Sequence, residues 1–304
     1  MARWDRFVCV DWSKELAGRR AWVAEVGMRR IAPLDDVTPT LDGLLGFARA
    51  LPGRTVIGID AALGVPRGYL EGARAAVPAW REANDFLTWL VLACEAPSFA
   101  REASSAAAWR HDRPFIAVPA GKGSLDAFWA RAGGRLLRDI DVATDAKSPF
   151  VVSGVPGTVG SGTRVLWAEL ARMLSGTCDF AVTPFDGALD AIARKIAIAE
   201  IYPRVCYALA LAPELPAPIS RLAKTSREVR EQAITTLTSA AWVRDHDVSL
   251  RELELALARE SEDDFDALMS AAGLLRCVLE GRALESGRDP VEGGILGLPS
   301  VRLT

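Results

Sequence analysis

The chain has 304 residues, half of them apolar and a quarter charged, with a formal net charge of −3. That is enough for a sizeable core, and it excludes a globally basic nucleic-acid surface. Its five cysteines (Cys9, Cys94, Cys178, Cys206, Cys277) are scattered without a CxxC pair, which excludes a disulfide framework and a zinc knuckle; His111 and His246 are too few for a His-rich metal site.

No apolar run approaches the roughly 20 residues that a membrane-spanning helix needs. No secretory h-region precedes the first strand-like segment, so a cytoplasmic protein without a membrane partner is expected. In chain order, Arg6–Asp11 reads as a short buried strand ending in an acid, and 21–26 follows as a hairpin partner after a loop containing Gly18. Leu41, Leu44, Leu45 and Ala48 form one helical stripe that stops at Pro52-Gly53. Thr55–Asp60 is a second β-rich run ending in Asp. Residues 66–135 read as a helical insertion, with helices over 79–92 and 125–132. The glycine-rich stretch 154–162 leads into a helix over 163–174. Strands are expected at 180–183 and 196–200, and helices at 204–211, 226–237, 250–259 and 263–279. Early strands and late helices suit a single α/β domain, 1–304, with a mixed sheet covered by helices.

Four places put carboxylates where a core element meets solvent. Asp11 and Asp60 each close a Val/Ile strand; singly, each reads as the cap of an Asx turn, but together they point to a shared crevice. Glu200, on a strand, shares a face with Ile196 and Ile198, where an ionised acid needs a partner; on a helix it would be solvated. Asp263 and Asp266, three apart at the start of the last long helix, share one side of it. Ser261 as N-cap explains one or two acids there, though not the whole run Glu262, Asp263, Asp264 and Asp266. Mg²⁺ and Mn²⁺ prefer carboxylate oxygens, and two such ions about 4 Å apart suit phosphodiester cleavage without histidine.

At these residues the sequence resembles the domain-of-unknown-function family 429, described as predicted nucleases with an RNase H-like fold. The matching pieces are Val10-Asp11-Trp-Ser, Ile57-Gly-Ile-Asp60-Ala-Ala-Leu-Gly, Ala199-Glu200-Ile-Tyr-Pro203, Lys224-Thr-Ser-Arg-Glu-Val-Arg230, Asp263-Asp-Phe-Asp266-Ala-Leu and Glu292-Gly-Gly-Ile295. No one of them is specific; six in order, over most of the chain, are more so. The resemblance implies an RNase H-like α/β fold, in which a mixed central sheet is flanked by helices. It implies that Asp11 and Asp60 match the strand acids, Asp263 and Asp266 the paired acids of the last helix, and Glu200 a Glu-x-x-Pro segment. Lys224 and Arg230 match a basic helix. Gly294 departs from the pattern, standing where Trp is expected.

The expectation is therefore a metal-dependent nuclease that hydrolyses phosphodiester bonds by a two-metal carboxylate mechanism with Mg²⁺ or Mn²⁺, Asp11 bridging the two ions. Asp11, Asp60, Asp263 and Asp266 would be the metal ligands, Glu200 would assist or orient water, and Lys224 and Arg230 would hold the phosphates of DNA or RNA. Gly154–Thr163 could cradle a phosphate or serve as a plain connector; it lacks the lysine of a P-loop. Lys224, Arg227 and Arg230 at helical spacing could line a phosphate backbone or form a solvated face. Trp80, Trp89, Trp109 and Trp129 could stack on bases but fit core packing better. Two rivals stand beside the nuclease: a phosphotransferase of the sugar-kinase and actin type, and a catalytically inactive nucleic-acid-binding or scaffold protein.

Overall fold

The computed structural model describes residues 4–118, 125–153, 158–285 and 289–303. The chain divides into two compact units: Met1–Asp60 with Asp179–Gly287 and Ile295–Thr304, and Ala61–Cys178 with Arg288–Gly294. The stretch 66–135, read as an insertion in a single domain, falls within the second.

The first unit is α/β. Its strands are β1 (Arg6–Asp11), β2 (Arg20–Glu25), β3 (Arg30–Pro33), β4 (Thr55–Ile59), β5 (Phe180–Val182) and β6 (Ile196–Glu200). They form one mixed sheet in the order β3-β2-β1-β4-β6-β5. β1, β2 and β3 pair antiparallel; β4 lies parallel to β1, β6 to β4 and β5 to β6. The helices are α1 (Leu41–Ala50), α2 (Pro203–Leu211), α3 (Arg227–Thr238), α4 (Ala241–Asp245), α5 (Glu252–Glu260) and α6 (Glu262–Leu279).

Period-two alternation assigns the two faces of the sheet. Phe7 and Cys9 of β1, Trp22 and Ala24 of β2, Val56 of β4, and Ala197 and Ala199 of β6 enter one core with α2, α3, α5 and α6. Val8, Val10, Ile57, Ile59 and Ile198 belong to the opposite face and are equally buried. The segment 196–200 is thus a strand, not a helix. β3 was not foreseen, because four residues offer too short a pattern.

In the second unit, the helix expected at 79–92 is broken. A 3₁₀ turn over Pro78–Trp80 comes first, and a helix over Phe86–Glu95 starts where Asp85 accepts from the Thr88 amide at 2.9 Å. Trp80, Trp89 and Trp109 are buried, at 1 %, 0 % and 2 % exposure, so core packing accounts for them and they offer no face to a base. Trp89 and Trp167 meet edge to face at 5.5 Å, within a cluster that includes Phe86 and Phe99. Glu292, from the segment 288–294, accepts from the amides of Arg67 at 3.0 Å and Asp139 at 2.7 Å, the first residues of two helices. The Glu292-Gly-Gly-Ile motif thus has a structural task in its first residue. The helix expected from Thr163 begins at Gly160, and part of the glycine-rich stretch, 154–157, lies outside the described residues. No helix among the described residues is long and apolar enough to cross a membrane.

Candidate metal centre

β1 and β4 are parallel neighbours with Val10 opposite Ile59, so both chains leave the sheet at the same edge. The Asp60 amide donates to the Val10 carbonyl at 2.9 Å, which fixes Asp60 beside Asp11. Beyond Asp11 the chain is held by Arg19, whose guanidinium lies 3.6 Å over the Trp12 ring and donates to the carbonyls of Ser13 at 2.8 Å and Pro39 at 3.0 Å.

The third acid arrives on α6. Ser261 caps this helix by accepting from the Asp264 amide at 3.1 Å. The Asp264 carboxylate accepts from Trp22 Nε1 at 3.1 Å and Arg20 Nε at 3.2 Å, pinning the first turn of the helix to β2. Further along, Gly273 lets α6 close on α2: a Cβ there would meet the Cys206 carbonyl oxygen at 2.7 Å. Asp266 lies seven residues before Gly273, on the same side of the helix. Held at both places, α6 brings Asp266 to Asp11 and Asp60. One carboxylate oxygen from each of the three lies within 4.8 Å of the other two.

Asp266 is 1 % exposed and accepts from two side chains, the Tyr207 hydroxyl through Oδ1 and the Lys224 ammonium through Oδ2. Burial pushes the Asp11 carboxyl up to about 9, reinforced by Asp60, Asp266 and Asp263 and opposed by Lys224. Burial and Asp266 push Asp60 up to about 7, with Lys224 opposing and Glu200 adding to the rise. Burial raises Asp266 as well, against the pull of Lys224 and Tyr207. For Lys224, burial alone would lower the ammonium, but Asp266, Asp11 and Asp60 outweigh it and hold the group protonated above its usual range. Burial and Asp266 raise the Tyr207 phenol. Burial first, and mutual repulsion second, thus hold these carboxyls toward their neutral forms.

The remaining candidates separate. Asp263, in the first turn of α6, acts on Asp11 and Asp266 through its charge and is outside the set of three. Glu200 is 5 % exposed at the end of β6. Its register partner is Ile59, so alternation places it on the sheet face opposite to Phe7, Cys9 and Asp11. It contributes to the field at Asp60 rather than to the donor set.

The basic face expected from Lys224, Arg227 and Arg230 does not form. α3 starts at Arg227, so Lys224 sits in the loop before it. Arg227 pairs at the surface with Glu231 at 2.9 Å and Glu260 at 2.7 Å. Arg230 is 5 % exposed and donates to the carbonyls of Lys224 at 2.6 Å, Arg259 at 2.9 Å and Glu260 at 3.2 Å. It ties the Lys224 loop to the end of α5 and offers nothing to a phosphate. Tyr207 was not foreseen. Its signal was a lone phenol in the apolar run Val-Cys-Tyr-Ala-Leu, where a buried hydroxyl needs a partner.

Comparison with family models, with curated proteins and with solved structures returned no match.

Proposed function

We propose that this protein is a divalent-cation-dependent nuclease that hydrolyses phosphodiester bonds in DNA or RNA. The observation that carries this reading is the convergence of Asp11, Asp60 and Asp266 from two strand ends and a helix, with oxygens within 4.8 Å of one another. An all-carboxylate donor set suits Mg²⁺ or Mn²⁺. Burial and mutual repulsion make the ionised forms of Asp11 and Asp60 costly, a cost that such an ion relieves. A divalent cation held there supplies the Lewis acidity that phosphodiester hydrolysis needs at neutral pH.

The chain's own residues divide the remaining work. Asp11 and Asp60 hold the ion. Tyr207 and Lys224 fix the rotamer of Asp266, so that its carboxylate meets the other two in a set position. Lys224, 35 % exposed, also presents positive charge to an incoming phosphate. The sheet, with antiparallel β1–β3 joined to parallel β4 and β6, is compatible with an RNase H-like fold. One observation favours a second reading: the Lys224–Asp266 ion pair already neutralises one of the three acids, as in a protein that binds nucleic acid without cleaving it.

The test is incubation of the protein with single- and double-stranded DNA, RNA and an RNA–DNA hybrid, each with Mg²⁺, Mn²⁺ or EDTA. Cleavage by the wild type that EDTA and Asp11→Asn both abolish is expected. Cleavage that survives either refutes this site as its source, and binding without turnover supports the second reading.

A further inference from the structure

We infer that Lys224 is the centre's resident second cation, so that the centre holds one divalent ion rather than two. The inference rests on reading Asp11, Asp60 and Asp266 as a cation site.

A two-ion centre needs ions about 4 Å apart, bridged by a carboxylate with an oxygen free toward each. Here the position beside Asp266 is already taken. The Tyr207 hydroxyl donates to Oδ1 and the Lys224 ammonium to Oδ2, so both oxygens of Asp266 already hold a donor and an ammonium stands where a second ion would share this carboxylate. An ion placed next to that ammonium meets a like charge in a half-buried setting, where solvent screens little.

The ammonium is built in. Arg230 grips the Lys224 carbonyl at 2.6 Å, and the same guanidinium holds the carbonyls of Arg259 and Glu260, directly before the Ser261 cap of α6. One buried arginine therefore ties the loop that delivers Lys224 to the junction that delivers Asp266. Within the donor set, three carboxylates face one ammonium and one divalent ion, and Asp263 and Glu200 add negative charge from outside it.

Mn²⁺ alone is the probe. Titration calorimetry gives ions bound per chain, and electron paramagnetic resonance separates an isolated ion from a spin-coupled pair. Wild type and Lys224→Arg are expected to bind one Mn²⁺ with an uncoupled signal. Lys224→Met is expected to bind a second, coupled ion at least about tenfold more tightly than wild type does, because the like charge is gone. Two coupled ions in the wild type overturn the inference and leave the cation-site reading standing. A folded Lys224→Met that still binds one ion overturns it likewise. No binding to the wild type, or binding unchanged in Asp11→Asn, overturns both. Should Lys224→Met not fold, the wild-type spectrum decides by itself.

Discussion

The hydroxyl of Tyr207 on α2 donates to the carboxylate of Asp266 on α6, and both side chains are sealed from water, at 2 % and 1 % exposure. Tyr207→Phe keeps the ring in place and leaves Asp266 Oδ1 without that donor. Removing one partner of a buried hydrogen bond to a charged group costs about 1.5–3 kcal/mol. Urea unfolding at pH 8 should show a loss of that order. The loss should shrink as pH falls, because burial raises the Asp266 carboxyl and its protonation weakens the demand for a donor. A loss that does not change with pH would mean that the phenol acts by packing alone.

The raised carboxyls set a pH dependence with a definite sign. Asp11 and Asp60 have folded values of about 9 and about 7, above their ordinary 3.8. A group of this kind favours the folded state fully below its unfolded value, and that contribution is lost as pH rises through the folded value. Without added metal, the melting temperature should therefore fall between about pH 4 and 9 through these two groups. Metal binds the deprotonated form. The gain in melting temperature with 5 mM Mg²⁺ or Mn²⁺ (about 5 mM, chosen to exceed a typical carboxylate-site Kd) should grow over the same window. Scanning fluorimetry across pH, with EDTA or metal, reads both trends, and a metal-induced gain that shrinks with rising pH would contradict the site.

Acids gathered for function strain the fold that holds them. Asp11→Asn removes one charge from a cluster in which Asp60, Asp266 and Asp263 all act on Asp11. In EDTA at pH 8 this variant should melt higher than wild type, while losing the stabilisation by Mn²⁺. The difference should shrink as pH falls and vanish only near about pH 4, where the carboxyl is protonated in the folded and the unfolded chain alike. A variant less stable than wild type at pH 8 in EDTA would show that Asp11 is there for the fold.

The strands that lead to Asp11, Asp60 and Glu200 are legible because each is a short, mostly apolar run ending at an acid, and the last helix because it opens with a cap and acids. That Asp11, Asp60 and Asp266 converge was suggested by the pattern and needed the parallel register of β1 and β4 to become geometry. Alternation correctly paired Glu200 with Ile196 and Ile198, but strand order alone decides that this face is the one opposite to Asp11. Spacing alone offers Arg230 as a phosphate ligand, because it records which residues share a helix side and not which side is buried. Helical spacing aligns Lys224 with Arg227 and Arg230, but the Ser226 cap, two residues later, starts the helix after it. Asp264 was recognised only as part of a cap; its bonds to Arg20 and Trp22 span more than 240 residues, beyond any local signal.

Gly273 offers a test of helix placement. In an exposed helix, Gly→Ala stabilises by up to about 1 kcal/mol. Here the added methyl meets the Cys206 carbonyl oxygen at 2.7 Å and the Leu209 Cβ at 3.1 Å, both on α2. Gly273→Ala should instead destabilise by about 1–3 kcal/mol, the range for overpacking. Because α6 must then move from α2, the Tyr207–Asp266 contact should loosen and Mn²⁺ affinity should fall. A stabilised variant would mean that the helices are farther apart than described.

Arg230 and Lys224 are neighbours with different tasks, and salt dependence separates them. A lysine or arginine that contacts a phosphate contributes about one counterion to the salt slope of nucleic-acid binding. Lys224 has an exposed flank from which to make that contact, whereas the Arg230 guanidinium is spent on three carbonyls. Lys224→Met should therefore lower the slope by about one, measured by fluorescence anisotropy with a labelled oligonucleotide in EDTA so that neither cleavage nor a second ion intervenes. Arg230→Lys should leave the slope unchanged and cost about 1.5–3 kcal/mol in urea unfolding, since an ammonium cannot span acceptors on two separate segments. If Arg230→Lys lowered the slope without loss of stability, the arginine would be a phosphate ligand and the loop would need another anchor.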